Sequence, residues 1–153
     1  TYPGHKPAGT MVEGRPADRR DLLALGLTFA DSPEIADVKR VKPAENCCRY
    51  VEYRKTAYFT GHVCLDADAK DLYDHTKGVL RRFCKVFKEE YGLRMDRIIS
   101  ASAYISDIRQ APLFHKAWDE WFTPGTEPAC SVIATRLLGD EFQIELALIV
   151  ADE

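Results

Sequence analysis

The chain has 153 residues, of which 46% are hydrophobic and 29% are charged, the composition of an ordinary folded domain rather than of a disordered segment. Asp and Glu number 24 and Lys and Arg number 21, which gives a formal net charge of -3 and disfavours nucleic acid as the main partner. No apolar run approaches the roughly 20 residues that a membrane-spanning helix needs, which disfavours a membrane partner. These properties predict one domain that is long enough to bury a core.

Residues 1–41 are interpreted as a leader and an extension that precede the main domain. Proline and glycine predict a flexible leader over residues 1–10, which contain no apolar signal-peptide core. A short helix is predicted over residues 18–25, and an extended covering segment follows it. The main domain is then predicted over residues 42–153.

Strand and helix patterns alternate from residue 56 onward. Residues 56–60 predict a strand that ends at a glycine, and residues 62–65 predict its continuation beyond a glycine-marked bulge. A long amphipathic helix follows, which Asp66 or Asp68 would cap and Gly92 would close.

The second half of the chain repeats the alternation and then adds two strands. Residues 98–105 predict a strand, and Ser106-Asp107 starts a second amphipathic helix that a Pro-Gly pair ends. Residues 131–137 and 142–150 predict a terminal hairpin with a turn at Gly139-Asp140. This order predicts an α+β fold in which two helices pack on one sheet.

The last predicted strand carries a carboxylate between two faces that both become apolar toward the C-terminus. Glu145 lies on one of these faces, and their apolar character predicts a sheet covered on both sides. A buried carboxylate without a partner costs several kcal/mol. Glu145 is therefore either a rim residue, which reaches solvent or pairs with Arg136 across the hairpin, or a general acid/base.

Three other side chains have both a structural and a functional interpretation. Cys130 starts the penultimate strand, either as a small buried hydrophobic residue or as a nucleophile. His62 follows a strand break where backbone N–H groups can face a ligand, and His115 lies on an otherwise apolar helix. Either histidine is also consistent with a structural or surface position.

Cysteine and histidine spacing favours no metal site. Five cysteines form an odd set without Cys-x-x-Cys spacing, which fits neither a disulfide framework nor a zinc site. The four histidines are scattered and form no metal-binding pair. The cysteine set suits a reducing compartment, so we expect a cytoplasmic protein.

Ordered blocks between residues 42 and 151 resemble the RidA/YjgF family, once labelled L-PSP endoribonucleases. Tyr58-Phe59-Thr60-Gly61-His62 is similar to the family's hydrophobic-x-S/T-G-Q strand, with His62 in the place of Gln. Residues 102–107 are similar to its T-x-F-hydrophobic-x-D block. Residues 115–122 are similar to its N-x-x-Y-x-x-F helix, with His115 in the place of Asn.

The C-terminal blocks extend this resemblance. Residues 128–132 lie where the family has P-A-R-S, and residues 143–147 resemble its E-I-E-A strand. Cys130 and Glu145 keep the separation of the family's Arg and Glu without a gap. The blocks are individually weak, but their order and register make the match specific.

The resemblance implies a chorismate-mutase-like α+β fold, assembled as a homotrimer with an inner barrel and three clefts between subunits. It also implies cofactor-free hydrolysis of small reactive 2-enamines and 2-imines, in which an Arg holds the substrate carboxylate and a Glu activates water. The resemblance implies Glu145 as a catalytic residue, and Cys130, in the place of the family's Arg, is the second candidate catalytic residue. The implied substrate-binding residues are Tyr50, Phe59, Thr60, Gly61, His62, His115, Ser131 and Val132.

This sequence departs from the family pattern at the Arg position, because the thiol of Cys130 offers neither charge nor fork geometry. Loss of such a charge-assisted pair costs about 2–5 kcal/mol of binding. We therefore expect a divergent enzyme that deaminates, tautomerises or cyclises a small imine or enamine, with Cys130 as nucleophile or as a residue that shapes the pocket. The alternative is a catalytically silent metabolite-binding or scaffold trimer. The acidic balance disfavours an endoribonuclease.

Overall fold

Two helices cover one face of a single mixed sheet. The computed structural model describes residues 7–14, 20, 26–31, 34, 37–43 and 47–151. The helix predicted over residues 18–25 lies, apart from residue 20, outside the described residues. The helices are α1 (Leu72–Val86) and α2 (Ala111–Asp119). The strands are β1 (Lys39–Pro43), β2 (Cys48–Tyr53), β3 (Thr56–Phe59), β4 (His62–Val63), β5 (Ile98–Ile105), β6 (Ala129–Ala134) and β7 (Ile144–Ala151).

The strand order is β1-β2-β3-β7-β5-β6, and β4 also pairs with β7. β7 is antiparallel to β3, β4 and β5, whereas β5 and β6 are parallel. The predicted terminal hairpin is therefore wrong, because β5 lies between the two strands that were expected to pair. α2 carries the chain from β5 to β6, and such a strand–helix–strand crossover produces a parallel pair.

Helix α1 begins later than its sequence pattern predicts. Asp71 is the N-cap, and its carboxylate accepts a hydrogen bond of 3.0 Å from the backbone N–H of Asp74. Asp66 instead accepts a hydrogen bond from the N–H of Asp68 in the preceding turn. The predicted end is confirmed, since a π-helical turn over Phe87–Tyr91 leads to Gly92 with a φ of 66°.

Helix α2 begins with a short 3₁₀ turn rather than directly at the predicted start. Asp107 caps this turn, Ile108–Gln110, by accepting a hydrogen bond from the N–H of Arg109. The turn runs directly into α2, which buries Phe114 and Trp118. Phe122, which follows the end of the helix, is buried as well. In the part of the chain that the structure describes, no helix has the length and apolar character to cross a membrane.

The core lies between the helices and one face of the sheet. Alternate residues of β7 are almost completely buried there, together with aromatic side chains of both helices. The opposite face carries Glu145, Ala147 and Ile149, of which the last two are only half-buried. The sequence predicts a sheet covered on both faces, but the described helices of one chain cover only one of them. The buried core residues of β7 are Ile144, Leu146, Leu148 and Val150.

Candidate functional site

Glu145 is the second residue of β7 and lies on the sheet face opposite the helices. It pairs with Val63 in β4 and with Tyr104 in β5, and its side chain is 7% exposed. Burial raises the pKa of its carboxyl, and no charge or hydrogen-bond donor of the described residues offsets this effect. A carboxyl whose pKa is raised by burial is a candidate for proton transfer.

The ion pair between Glu145 and Arg136 that would make Glu145 a rim residue does not form. Arg136 instead lies 3.6 Å from carboxylate oxygens of Glu13 and of Asp140. The physical reason is the sheet order, because the chain segments expected to form a hairpin are separated by β5.

Gly61 packs directly against the Glu145 carboxyl. A Cβ atom at this glycine would lie 1.9 Å from Oε1 of Glu145, so the carboxyl occupies space that any larger residue would fill. The break between β3 and β4 falls at Thr60-Gly61, as the sequence predicts. Thr60 stabilises this break by donating a hydrogen bond of 2.5 Å from its hydroxyl to the carbonyl oxygen of Cys48.

His62 lies on the other side of the sheet from Glu145. It pairs with Leu146, which faces the core, and its ring contacts Phe83 with a centroid distance of 4.5 Å. Its Nδ1 donates a hydrogen bond of 2.8 Å to the carbonyl oxygen of Thr60. The contacts of His62 are those of a buried structural histidine, so this arrangement favours the structural interpretation.

Cys130 and Glu145 are not brought together within one chain. Cys130 pairs with Ala101, a buried residue on the helix side of β5, whereas Glu145 pairs with Tyr104 on the opposite side. Cys130 is exposed, yet desolvation by the surrounding protein raises the pKa of its thiol to about 11. A thiol with this pKa is protonated at neutral pH, which disfavours a nucleophile and favours a residue that shapes a pocket.

The remaining predicted site residues occupy three different regions. Tyr50 and Phe59 are buried in the core, where their rings stack with a centroid distance of 4.8 Å. His115 is exposed on α2, and its ring centroid lies 5.3 Å from that of Phe114. On β6, Ser131 is exposed and Val132 is half-buried. Among the predicted residues, the single chain therefore groups only Thr60 and Gly61 with Glu145.

A residue that the sequence does not single out also reaches this group. The hydroxyl of Thr10 accepts a hydrogen bond of 3.0 Å from the backbone N–H of Gly61. Thr10 belongs to the segment predicted to be a flexible leader, and the contact spans 51 residues of the chain. A Gly- and Pro-rich segment contains no local signal for such a contact, so the sequence pattern alone could not find it.

The described residues offer no evident metal centre. Among them, no group of three His, Cys, Asp or Glu side chains is arranged to hold a metal ion. All five cysteines are free.

The profile of a family described as "Endoribonuclease L-PSP" matches residues 38–152. The chain belongs to this L-PSP family, the RidA/YjgF group. A RutC family protein of Haemophilus ducreyi is 30% identical over 99 residues, which cover 65% of this chain and 83% of that protein. The RutC family protein YoaB of Escherichia coli is 28% identical over 102 residues, which cover 66% of this chain and 86% of YoaB.

Solved structures of L-PSP family proteins confirm the predicted fold. A YjgF family member from Neisseria meningitidis has a TM-score of 0.69 and 19% identity, and covers 76% of this chain and 96% of its own. A protein described as a putative endoribonuclease L-PSP from Entamoeba histolytica has a TM-score of 0.63 and 20% identity, with coverages of 73% and 92%. The L-PSP fold thus accounts for two helices packed on a mixed sheet.

Proposed function

We propose that this protein is a cofactor-free enzyme that hydrolyses a small reactive imine or enamine, with Glu145 as its acid/base group. The observation that carries the proposal is the buried Glu145 carboxyl, which packs against Gly61 and has a raised pKa without a compensating partner among the described residues. A structural carboxylate in a sheet normally has a hydrogen-bond or charge partner, because its desolvation is costly. An uncompensated carboxyl beside a strand break favours catalysis.

The proposed reaction consumes one water and releases one ammonia. Glu145 in its protonated form donates a proton to the imine nitrogen, and its carboxylate then accepts a proton from the water that adds to the imine carbon. Glu145 then donates that proton to the amino group of the carbinolamine, the carbon–nitrogen bond breaks to release ammonia, and the carboxylate accepts the hydroxyl proton as the carbonyl forms, which restores the protonated Glu145. An enamine enters the same sequence after protonation at carbon. The other product is a carbonyl compound.

We further propose that the catalytic cleft lies between subunits of a homotrimer in the cytoplasm. Two observations support this assembly. The half-buried residues Ala147 and Ile149 lie beside Glu145 on the face that the described helices leave open. In one chain, Cys130 and Glu145 lie on opposite faces of the sheet, so a pocket lined by both draws them from two copies.

In this assembly Cys130 forms part of the pocket wall. Its raised thiol pKa opposes a thiolate nucleophile, and its neutral side chain cannot pair with a carboxylate. A substrate carboxylate must therefore be held by other donors, such as backbone N–H groups, or be absent. The proposed substrate class is a small imine or enamine, with or without a carboxylate.

The test is the release of ammonia and keto acid from freshly generated 2-aminoacrylate and 2-iminobutyrate, with neutral imines assayed in parallel. Glu145→Gln is expected to lower kcat/KM by about 10²–10⁴-fold, the usual contribution of a general acid/base. Glu141→Gln is the matched control, because Glu141 is exposed in the loop before β7.

Hydrolysis that is unaffected by Glu145→Gln would contradict the assigned role of Glu145. Binding of these compounds without turnover would instead favour a catalytically silent metabolite-binding trimer. Hydrolysis no faster than in buffer, for substrates with and without a carboxylate, would contradict the proposal that the protein is an imine or enamine hydrolase.

A further inference from the structure

Residues 7–14, called here the N-terminal strap, are held against the strand break beside Glu145. The carbonyl oxygen of Pro7 accepts a hydrogen bond of 2.9 Å from the N–H of Cys48, at the start of β2. The N–H of Gly9 donates a hydrogen bond of 3.1 Å to the hydroxyl of Thr60. These contacts place the strap where β2 meets the break between β3 and β4.

The next strap residue occupies the backbone donor beside the Glu145 carboxyl. Thr10 accepts a hydrogen bond of 3.0 Å from the N–H of Gly61, the residue whose Cα packs against Glu145. The Gly61 N–H is a backbone donor on the residue that packs against the Glu145 carboxyl. In this structure it is engaged by the chain's own hydroxyl group.

A second set of contacts holds the other end of the strap. The N–H of Glu13 donates a hydrogen bond of 3.0 Å to the carbonyl oxygen of Arg136, and the hydroxyl of Thr135 donates one to the carbonyl oxygen of Glu13. Thr135 and Arg136 directly follow β6, at the end of the sheet where β7 begins. The strap therefore spans this end of the sheet from the β4 side to the β6 side.

The strap is held to the sheet by these hydrogen bonds and by the ion pair between Glu13 and Arg136. Met11, at its middle, is 66% exposed. An open cavity of about 360 Å³ lies between the strap and the loop after β6, and neither Gly61 nor Glu145 lines it. The cavity is lined by Met11, Val12, Glu13, Arg136, Leu137, Leu138 and Asp140.

We propose that the N-terminal strap is a lid on the Glu145 site, and that the Thr10 hydroxyl competes with the ligand for the Gly61 N–H. The inference rests on the proposed function in one respect, namely that a ligand binds beside Glu145. A neutral hydroxyl is a weaker acceptor than a carboxylate. The competition therefore selects small ligands that present an anionic or carbonyl oxygen to Gly61, and it disfavours those that present only apolar atoms.

The first test measures hydrogen exchange of the Gly61 amide by NMR in the full chain. Thr10→Val keeps the side-chain shape but removes the acceptor, so exchange is expected to accelerate by about three- to tenfold, the equivalent of one neutral hydrogen bond. Thr10→Ser retains the hydroxyl and is expected to preserve protection. Thr28→Val is a matched control at an exposed threonine. Equal exchange in Thr10→Val and the unmodified protein would overturn the proposal.

A second variant tests whether the strap acts as one unit. Thr135→Val removes the hydrogen bond to Glu13 without altering Thr10 or Gly61. It is expected to accelerate Gly61 exchange as well, although less than Thr10→Val does. An unchanged Gly61 exchange rate in Thr135→Val would overturn the strap as a connected lid.

Binding of 2-oxobutyrate, a carboxylate-bearing keto acid, tests the competition directly. Removal of an internal competitor is expected to strengthen its binding to Thr10→Val by about three- to tenfold, with a shift of the Gly61 amide signal. Equal affinity in both proteins, or no shift at Gly61 in either, would overturn the assignment. None of these readouts uses turnover, so Glu145-independent hydrolysis would end the proposed function and leave the lid intact.

Discussion

Glu145 carries a stability cost that follows from its burial. Because its folded-state pKa lies above the ordinary value of 4.5, the uncharged carboxyl is favoured in the folded chain. The folded chain therefore loses stability as pH rises from about 4.5 through the raised pKa, and the loss is complete above it. The ionised Glu145 carboxyl therefore destabilises the fold, which is consistent with its proposed role as the acid/base group.

We expect Glu145→Gln to raise the free energy of unfolding at pH 7.5 by up to about 1 kcal/mol, because the amide is never charged. The gain should disappear below pH 4.5, where the carboxyl is protonated in both states. Urea titrations at fixed protein concentration measure this difference, with Glu141→Gln as the control. A gain that is independent of pH would contradict the desolvation argument.

Cys130 should behave as an unreactive thiol. Because its pKa is about 11 rather than 9.0, its thiolate fraction at pH 7.5 is about a hundredfold lower than that of an ordinary thiol. Iodoacetamide should therefore modify Cys130 far more slowly than Cys84, which is also exposed. Cys130→Ser should retain turnover within about threefold, since a pocket wall tolerates a similar volume. Faster labelling of Cys130 than of Cys84, with loss of turnover in Cys130→Ser, would support a nucleophile.

At the scale of one element, helix α1 contains a pH-sensitive position. His75 is buried near the start of this helix, its Nδ1 has no hydrogen-bond partner among the described residues, and burial lowers the pKa of its ring. The nearby carboxylates of Asp74, Asp71 and Asp66 oppose this shift but do not cancel it. The neutral ring is thus favoured in the folded state, and stability is complete above pH 6.5 and is lost as pH falls through the lowered pKa.

We expect acid unfolding to begin partly through His75. His75→Gln should remove part of the decrease in unfolding free energy that the unmodified protein shows below pH 6.5. Circular dichroism during urea titration at several pH values measures this, and His115→Gln is the matched control at an exposed histidine. The same pH dependence in His75→Gln and in the unmodified protein would contradict this role.

Local patterns predict the elements of this chain better than they predict strand pairing. Apolar periodicity locates both helices and the central strands, because each element buries one face. The β5–β6 pairing depends on the crossover through α2, which a turn signal at Gly139-Asp140 obscures. Periodicity also cannot follow a chain through an irregular break, since an unbroken strand from Phe59 would place His62 on the Glu145 face. The break reverses this, and His62 pairs with Leu146 instead.

The candidate site was only partly predictable for a similar reason. Glu145 and Gly61 stand out because a carboxylate in an apolar strand and a glycine at a strand break each require a local explanation. The role of Thr10 depends on a contact between segments that are distant in sequence. The separation of Cys130 from Glu145 depends on the intervening strand β5. Neither fact is contained in any local pattern.

At the scale of the whole molecule, the open sheet face determines how the proposed site is completed. The helices pack on one side of β7, and Glu145 lies on the other with half-buried apolar neighbours. If a second copy covers this face, the start of its β6 can bring Cys130 to the Glu145 of the first. In a cyclic trimer each cleft then combines Glu145 of one subunit with Cys130 of the next.

This arrangement predicts complementation between two inactive variants. Glu145→Gln removes the acid/base group, and Cys130→Trp fills the pocket wall, so each variant alone should be inactive. In trimers refolded from an equal mixture, about a quarter of the clefts should combine an intact Glu145 with an intact Cys130 from a neighbouring subunit. About a quarter of the unmodified activity should therefore return, whereas unrefolded mixtures should stay inactive. Native mass spectrometry verifies that mixed trimers form, and mixed trimers without activity would show that these residues do not share a cleft across subunits.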